Sequence, residues 1–302
     1  MKIKRIMLFS LSALLGMWME LAIKAEEPIR FRVKRELHLP SDDGQQGIAT
    51  DGQFLFVQNS QQLLKYDLDG NLVQAGPRLP LHHGGIVCLR GKIYAAVSGC
   101  DPEGTDEHYV HVYDGRSLAL VEKHDIGAHF TVCAGGIAYR QGRFFVAESF
   151  FDNDHLDRIV EFDESFQPIQ DYTISFKSPY GVQGLEYLPA TDQFQIHSHG
   201  SAFYRINASF QNDSLVEGQA EFDLQDVARL DEQTLLVNQR QAESVLFIEL
   251  EMRHGPTSDE VMMEKLSPGR GCRPSFNRRS FSRWKRLHLW PAGWTQPTHE
   301  GR

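Results

Sequence analysis

Gln46-Gly47-Ile48-Ala49-Thr50, a turn at Asp51-Gly52, then Phe54-Leu55-Phe56-Val57, then Leu63-Leu64-Lys65-Tyr66-Asp67 is the stretch that decides the fold. It reads as a small residue, a short apolar strand, a polar turn, a second strand, a loop, and a third strand ending at an acid. The phrase returns. Gly85-Ile86-Val87-Cys88 leads to Ile93–Val97 and Val110–Asp114. Gly136-Ile137-Ala138-Tyr139 leads to Phe144–Val146 and Ile159–Asp163. Gly184-Leu185-Glu186-Tyr187 leads to Phe194–Ile196 and Phe203–Ile206. Val227-Ala228-Arg229-Leu230 leads to Leu235–Val237 and Val245–Glu249. Starts at 47, 85, 136, 184 and 227 have the spacing of four-stranded propeller blades.

The strands are β-branched or aromatic and bounded by Gly, Asp or Asn, as half-buried strands require. A leading glycine admits close backbone approach where inner strands crowd an axis. A fourth strand follows the first four copies, at Leu72-Val73, Leu118–Val121, Ile169–Tyr172 and Leu215–Phe222. The fifth copy lacks one. The alternating segment Arg30–Leu39 stands alone before the first copy, and pairing it with the fifth closes a ring without a free sheet edge. The expected fold is therefore an all-β, five-bladed propeller. A six-bladed ring would need residues 253 onwards to form a blade. Asp69-Gly70-Asn71 sits between two strands of one blade and reads as a hairpin turn rather than a calcium loop.

The chain of 302 residues has a formal net charge of −9. Residues 1–25 open with Lys2, Lys4 and Arg5, continue through the apolar run Ile6–Trp18 and reach Ala25 before Glu26-Glu27-Pro28. That is the layout of a secretory signal peptide; an uncleaved anchor is the other reading. Both take the body, residues 26–252, out of the cytoplasm, to a secreted or periplasmic location. Residues 253–302 carry ten Lys/Arg against four acids, three of the four tryptophans and no copy of the repeat. They are expected to be a basic, disordered extension. The body is left with a net −18. So acidic a surface opposes nucleic-acid and anionic-membrane binding, because phosphate contacts need Lys and Arg.

A blade meander puts the segments that open each blade and the loops joining its second and third strands on one rim. Loops converging near an axis are where such scaffolds bind ligands. The rim collects His82, His83, His108, His129, His155, His197 and His199. Gln46, His83, Gln183 and Asp226 hold comparable blade-opening positions and are the candidate ligand-binding set. His83, His129 and Glu148 are the catalytic candidates, Glu148 because it follows a buried strand and fits a general acid or base. His197 and His199 share a strand face by their spacing of two, and with His83 they are candidate metal ligands. A divalent ion there, calcium or zinc, would acidify a bound water. Asp152, Asp154 and Asp157 form an acidic loop without a calcium-loop glycine and read as a solvated turn. Cys100 and Cys133 lie on the same rim in neighbouring blades and are a candidate disulfide in an oxidising compartment. Cys88 reads as a buried apolar residue. Asn207 and Asn212 each begin an Asn-x-Ser glycosylation pattern. No Cys-x-x-Cys, phosphate loop or nucleophile elbow is present.

The Gln46–Gly52 and Leu64–Gly70 phrases resemble the blades of the NHL, lactonase-like and related secreted propellers, over about residues 30–250. Lactonase-like members hold one divalent metal with a glutamate, asparagines and an aspartate on the axis. The matching positions here are Gln46, His83, Gln183 and Asp226, so that ligand set is not reproduced. Five-bladed glutaminyl cyclases share a Gln-Gly-Leu-like opening, without the rest of their pattern. The reading is a propeller that binds a small or saccharide-like ligand over its axial rim, with metal-assisted hydrolysis as an extension. A non-catalytic interaction scaffold is the alternative.

Overall fold

A computed structural model describes residues 30–251, except 41–42, 100–106, 151–154, 176–177 and 179–180. The expected leader, the acidic-loop residues Asp152 and Asp154, and the tail 253–302 lie outside the described residues. Twenty strands form five four-stranded antiparallel sheets. Blade one holds β2 (Ile48–Thr50), β3 (Phe54–Gln58), β4 (Gln62–Asp67) and β5 (Leu72–Arg78). Blade two holds β6 (His82–Leu89), β7 (Lys92–Ser98), β8 (His108–Asp114) and β9 (Leu120–Asp125). Blade three holds β10 (Cys133–Arg140), β11 (Arg143–Ser149), β12 (Arg158–Asp163) and β13 (Pro168–Thr173). Blade four holds β14 (Gly184–Leu188), β15 (Gln193–His197), β16 (Ala202–Asn207) and β17 (Val216–Gln219).

Blade five is composite. Its inner three strands are β18 (Asp226–Arg229), β19 (Thr234–Gln239) and β20 (Ser244–Glu251), and its outer strand is the first of the chain, β1 (Arg30–His38). β1 runs antiparallel to β20 from Arg30 opposite Glu251 to His38 opposite Ser244, with a bulge between Val33 and Arg35. The ring closes as the lone alternating strand predicts.

Local chemistry sets the turns. Between the first two strands of blades two and three, Arg90-Gly91 and Gln141-Gly142 take positive φ at both positions (51° and 76°; 48° and 84°). These are the mirror-image turns that match the twist of a tight hairpin, and glycine makes the second position inexpensive. In blades one to three the aspartate ending the third strand caps the next turn. Asp67 Oδ1 accepts the N–H groups of Asp69 (2.9 Å) and Asn71 (2.8 Å), and Asp163 Oδ1 those of Ser165 and Gln167. Asp69-Gly70-Asn71 is thus a hairpin turn.

The core lies between blades. Five apolar clusters each fill one interface, for example Phe145, Ile159, Phe194 and Ile206 between blades three and four, and Ile48, Leu64, Leu236 and Val245 between blades one and five. Sheets packed face to face in this way fix where the strand ends meet at the axis.

Candidate functional site

At the axis the inner strands touch in sequence. A β-carbon on Gly47 would stand 2.8 Å from the Gly84 carbonyl oxygen, and one on Gly136 would stand 3.0 Å from the Gly184 carbonyl carbon. Glycine at these positions is a packing requirement. In blade five the place is taken by Asp226. Its carboxylate accepts the backbone N–H of Ile48 (2.9 Å), of Val227 (2.8 Å) and of Ile86, so one side chain links the inner strands of blades one, two and five. Asp226 is 2% exposed, and burial pushes its carboxyl well above the usual range. Its own N–H donates to Asn238 Oδ1 at 2.7 Å. The expected ligand-binding aspartate is a staple across the pore, its oxygens occupied by backbone.

Above it, on the rim where blades open, three carboxamides meet. Gln225 Nε2 donates to Gln46 Oε1 (3.2 Å) and Gln183 Oε1 (3.4 Å), and Gln46 Nε2 donates to Ser60 Oγ (3.3 Å). Two of the glutamines predicted to converge, Gln46 and Gln183, are therefore brought together, by a third. His199 lies beside this set with its Nε2 3.4 Å from an Arg240 nitrogen. Burial and the Arg240 charge hold both His82 and His199 down to about 4, so both imidazoles are neutral at physiological pH. Gln225 is 1% exposed, and its Oε1 meets no donor in hydrogen-bond geometry. The Gln225 carboxamide beside His199 acts against the burial of that ring, favouring the charged imidazole.

His83 does not join this mouth. His82 and His83 pair in regular register with Ser98 and Val97, so strand alternation sends the two side chains to opposite faces; β6 bulges only beyond them, at Gly84-Gly85. His83 is fully buried, its Nε2 lies 3.1 Å from the Tyr113 hydroxyl, and its ring is edge-on to His111 and Tyr113. Burial lowers it to about 3. His82, its neighbour, is the residue the Arg240 charge reaches.

The remaining candidates have separate surroundings. His197 is fully buried against Phe203, with Nε2 2.9 Å from Gln195 Nε2, and burial lowers it to about 3. His83, His197 and His199 are not brought together, and among the described residues no three His, Cys, Asp or Glu side chains converge as a metal site. The residues present do not fit the calcium or zinc ion considered from the sequence. Glu148 is fully buried: Oε2 pairs with Arg158 (2.6 Å), and Oε1 accepts the Thr131 N–H (2.5 Å). Arg158 also reaches Asp171 (2.9 Å) and the His129 carbonyl. Glu148 is thus one half of a buried ion pair, and His129 packs its ring edge-on to Phe162. Asp157 accepts Ser178 N–H (2.9 Å) and hydroxyl (2.7 Å) bonds, and burial raises it to about 6. Cys133 is disulfide-bonded and Cys88 is free; Cys100, its expected partner, lies outside the described residues.

The sequence reasoning did not single out Gln225 or Arg240 as site residues. Arg240 follows the second strand of blade five, the same place in its blade as His199 in blade four, so blade alignment alone was enough to place both on the mouth.

No family model matches the sequence, and no curated protein matches it. Among solved structures the chain is similar to the glutaminyl cyclase of Myxococcus xanthus, with a TM-score of 0.57 and 14% identity over 74% of this chain and 98% of that one. That likeness shows the fold. A chain of a mitotic checkpoint complex aligns over 74% of this chain and 94% of its own at 10% identity and a TM-score of 0.45, too low to carry an argument.

Proposed function

We propose that the protein binds a small, hydroxyl- or amide-bearing ligand, saccharide-like in its chemistry, in the axial mouth formed by Gln46, His82, Gln183, His199, Gln225 and Arg240. The observation that carries this reading is Gln225. Its carboxamide is locked by two bonds through Nε2, and its buried oxygen is left as an acceptor without a donor. A buried acceptor without a partner costs about 1–3 kcal/mol, which a ligand O–H or N–H arriving at that oxygen recovers. The neutral His82 and His199 offer further donors and acceptors without charge, and Arg240 offers donors only.

The hydrolytic extension loses its support, because Glu148 is held by Arg158 and His83 by Tyr113. The glutaminyl cyclase likeness, at 14% identity, does not carry that protein's activity here. We further propose that residues 1–25 are a signal peptide and that the body acts in a secreted or periplasmic setting. The Cys133 disulfide supports this, since disulfides persist in oxidising compartments. Cys100 remains the proposed partner, and 253–302 a separate basic tail.

The test is a titration of the protein with N-acetylglucosamine, which carries both hydroxyl and amide groups, followed by ligand-observed NMR. Saturation transfer that disappears in Gln225→Ala and in Arg240→Ala, with unchanged circular dichroism, is the expected result. Transfer retained in both variants overturns the mouth as the site. So does the absence of transfer from this sugar, from glucose and from acetamide.

A further inference from the structure

The axis has a second end. Below the Asp226 staple the inner strands diverge around a cavity of about 240 Å³. All five blades line it: Thr50 from β2, Cys88 from β6, Tyr139 from β10, Glu186 from β14 and Arg229 from β18. Ala49, Ile86 and Ala228 give apolar patches to a lining that is otherwise polar. Glu186 was not among the residues picked out from the sequence, because its place in an inner strand looks like that of any strand carboxylate.

We propose that this lower cavity is a binding site for a primary alkylammonium ion, its nitrogen on the Glu186 carboxylate and its alkyl chain against Ile86, Ala49 and Ala228. It does not rest on the mouth. A cavity of this size holds roughly eight waters at about 30 Å³ each, room for a short alkylamine. The Ala49, Ile86 and Ala228 patches give a short alkyl chain something to pack against, and Glu186 is the acidic group on the lining that an ammonium can pair with.

Burial raises Glu186 to about 8. The Arg229 backbone N–H and guanidinium act the other way. The Arg229 charge is exposed and interacts with Asp231. Cys88, itself pushed up to about 11, stays a neutral thiol and adds no charge. Tyr139 gives its hydroxyl hydrogen to Glu164 at 2.6 Å, and Tyr187 gives its own to Asp192 at 2.7 Å. Neither therefore donates to the cavity. At neutral pH an arriving ammonium thus displaces the Glu186 proton to solvent: the O–H bond breaks, the ion pair forms, and one proton is released for each amine bound.

Proton release fixes the pH signature. Affinity rises about tenfold from pH 6 to 7 and about fivefold from 7 to 8, and levels above that until the amine itself loses its proton near pH 10. Isothermal titration of the full chain with n-butylammonium, n-butanol and butyrate at pH 6, 7 and 8, in two buffers of different ionisation enthalpy, tests this. The expected result is butylammonium binding at least tenfold tighter than the other two at pH 8, with buffer-dependent heat at pH 7. Glu186→Gln lowers that affinity at least tenfold and removes its pH dependence. Equal or tighter binding of butyrate, pH-independent affinity, or no binding of any of the three overturns the proposal. The wild-type pH series decides the matter by itself where Glu186→Gln fails to fold.

Discussion

A β-carbon on Gly184 would stand 2.8 Å from the Cα of Asp226, so the inner strands of blades four and five meet with no room for a side chain on one of them. The other supplies the only side chain shown to bind three inner strands at once among the described residues. Asp226→Ala leaves the Ile48, Ile86 and Val227 N–H groups without this buried acceptor, at about 1–3 kcal/mol each. A loss of roughly 3 kcal/mol or more in urea unfolding is expected. Asp226→Asn keeps one acceptor oxygen and mimics the neutral acid that burial favours, so it is expected to lose less than half as much. An alanine variant as stable as the wild type removes the staple from the account.

Acid is expected to unfold this protein through its histidines. His82, His83, His111, His197 and His199 are all lowered by burial, to between about 3 and about 4. The unfolded chain takes up protons as pH falls below about 6.5, while the folded chain does not until about 4 or lower. Stability is therefore unaffected by these groups above 6.5, and falls continuously from there down to their folded values. A single fully buried one such as His197 accounts for on the order of 5 kcal/mol across that window. The urea midpoint of His197→Gln should fall less between pH 7 and pH 5 than that of the wild type. Parallel pH profiles would show that His197 is not among the groups responsible.

The buried pair of Glu148 and Arg158 predicts coupling rather than catalysis. Removing Arg158 strips the fully buried Glu148 of its counter-charge, at about 3–5 kcal/mol, whereas removing Glu148 leaves Arg158 its Asp171 partner and partial exposure to water. Arg158→Met should therefore destabilise strongly and Glu148→Gln less, and the double variant should be less destabilised than their sum by about 1 kcal/mol or more. Additive effects would mean that the 2.6 Å contact contributes little.

How much of this was legible in the sequence differs by level. The five blades were, because each strand repeats its period and each turn its chemistry: Asp51-Gly52 and Gln141-Gly142 announce hairpins before any coordinate is seen. The convergence of Gln46 and Gln183 was also legible, as a consequence of equivalent positions. The side-chain directions were not. His82 and His83 are adjacent, so strand alternation sends them to opposite faces, and only the blade's register decides which of the two meets Tyr113. Glu148 looked like a poised acid because a buried carboxylate after an apolar strand is ambiguous until its partner is known, and Arg158 lies ten residues away in another strand. Gln225 lay next to a more conspicuous aspartate, and the roles of the two are the reverse of the expectation: the carboxamide faces the mouth and the acid holds the backbone.

The closing strand gives the sharpest test of the ring itself. β1 supplies the outer edge of blade five and contributes Leu37 to the core between blades five and one. Its exposed ion pairs, Arg32 and Lys34 to Glu249 at 2.6 and 2.7 Å, are screened by solvent and contribute little. The backbone ladder and the buried leucine are what hold it. A chain lacking residues 30–38 leaves β20 as a bare edge, which invites pairing with other copies. Light scattering should show association of the shortened chain at micromolar concentration, and a peptide of sequence Arg30–His38 should suppress it. A truncated chain that stays monomeric and unfolds at the wild-type urea midpoint would mean that the ring is held by its five inner faces alone.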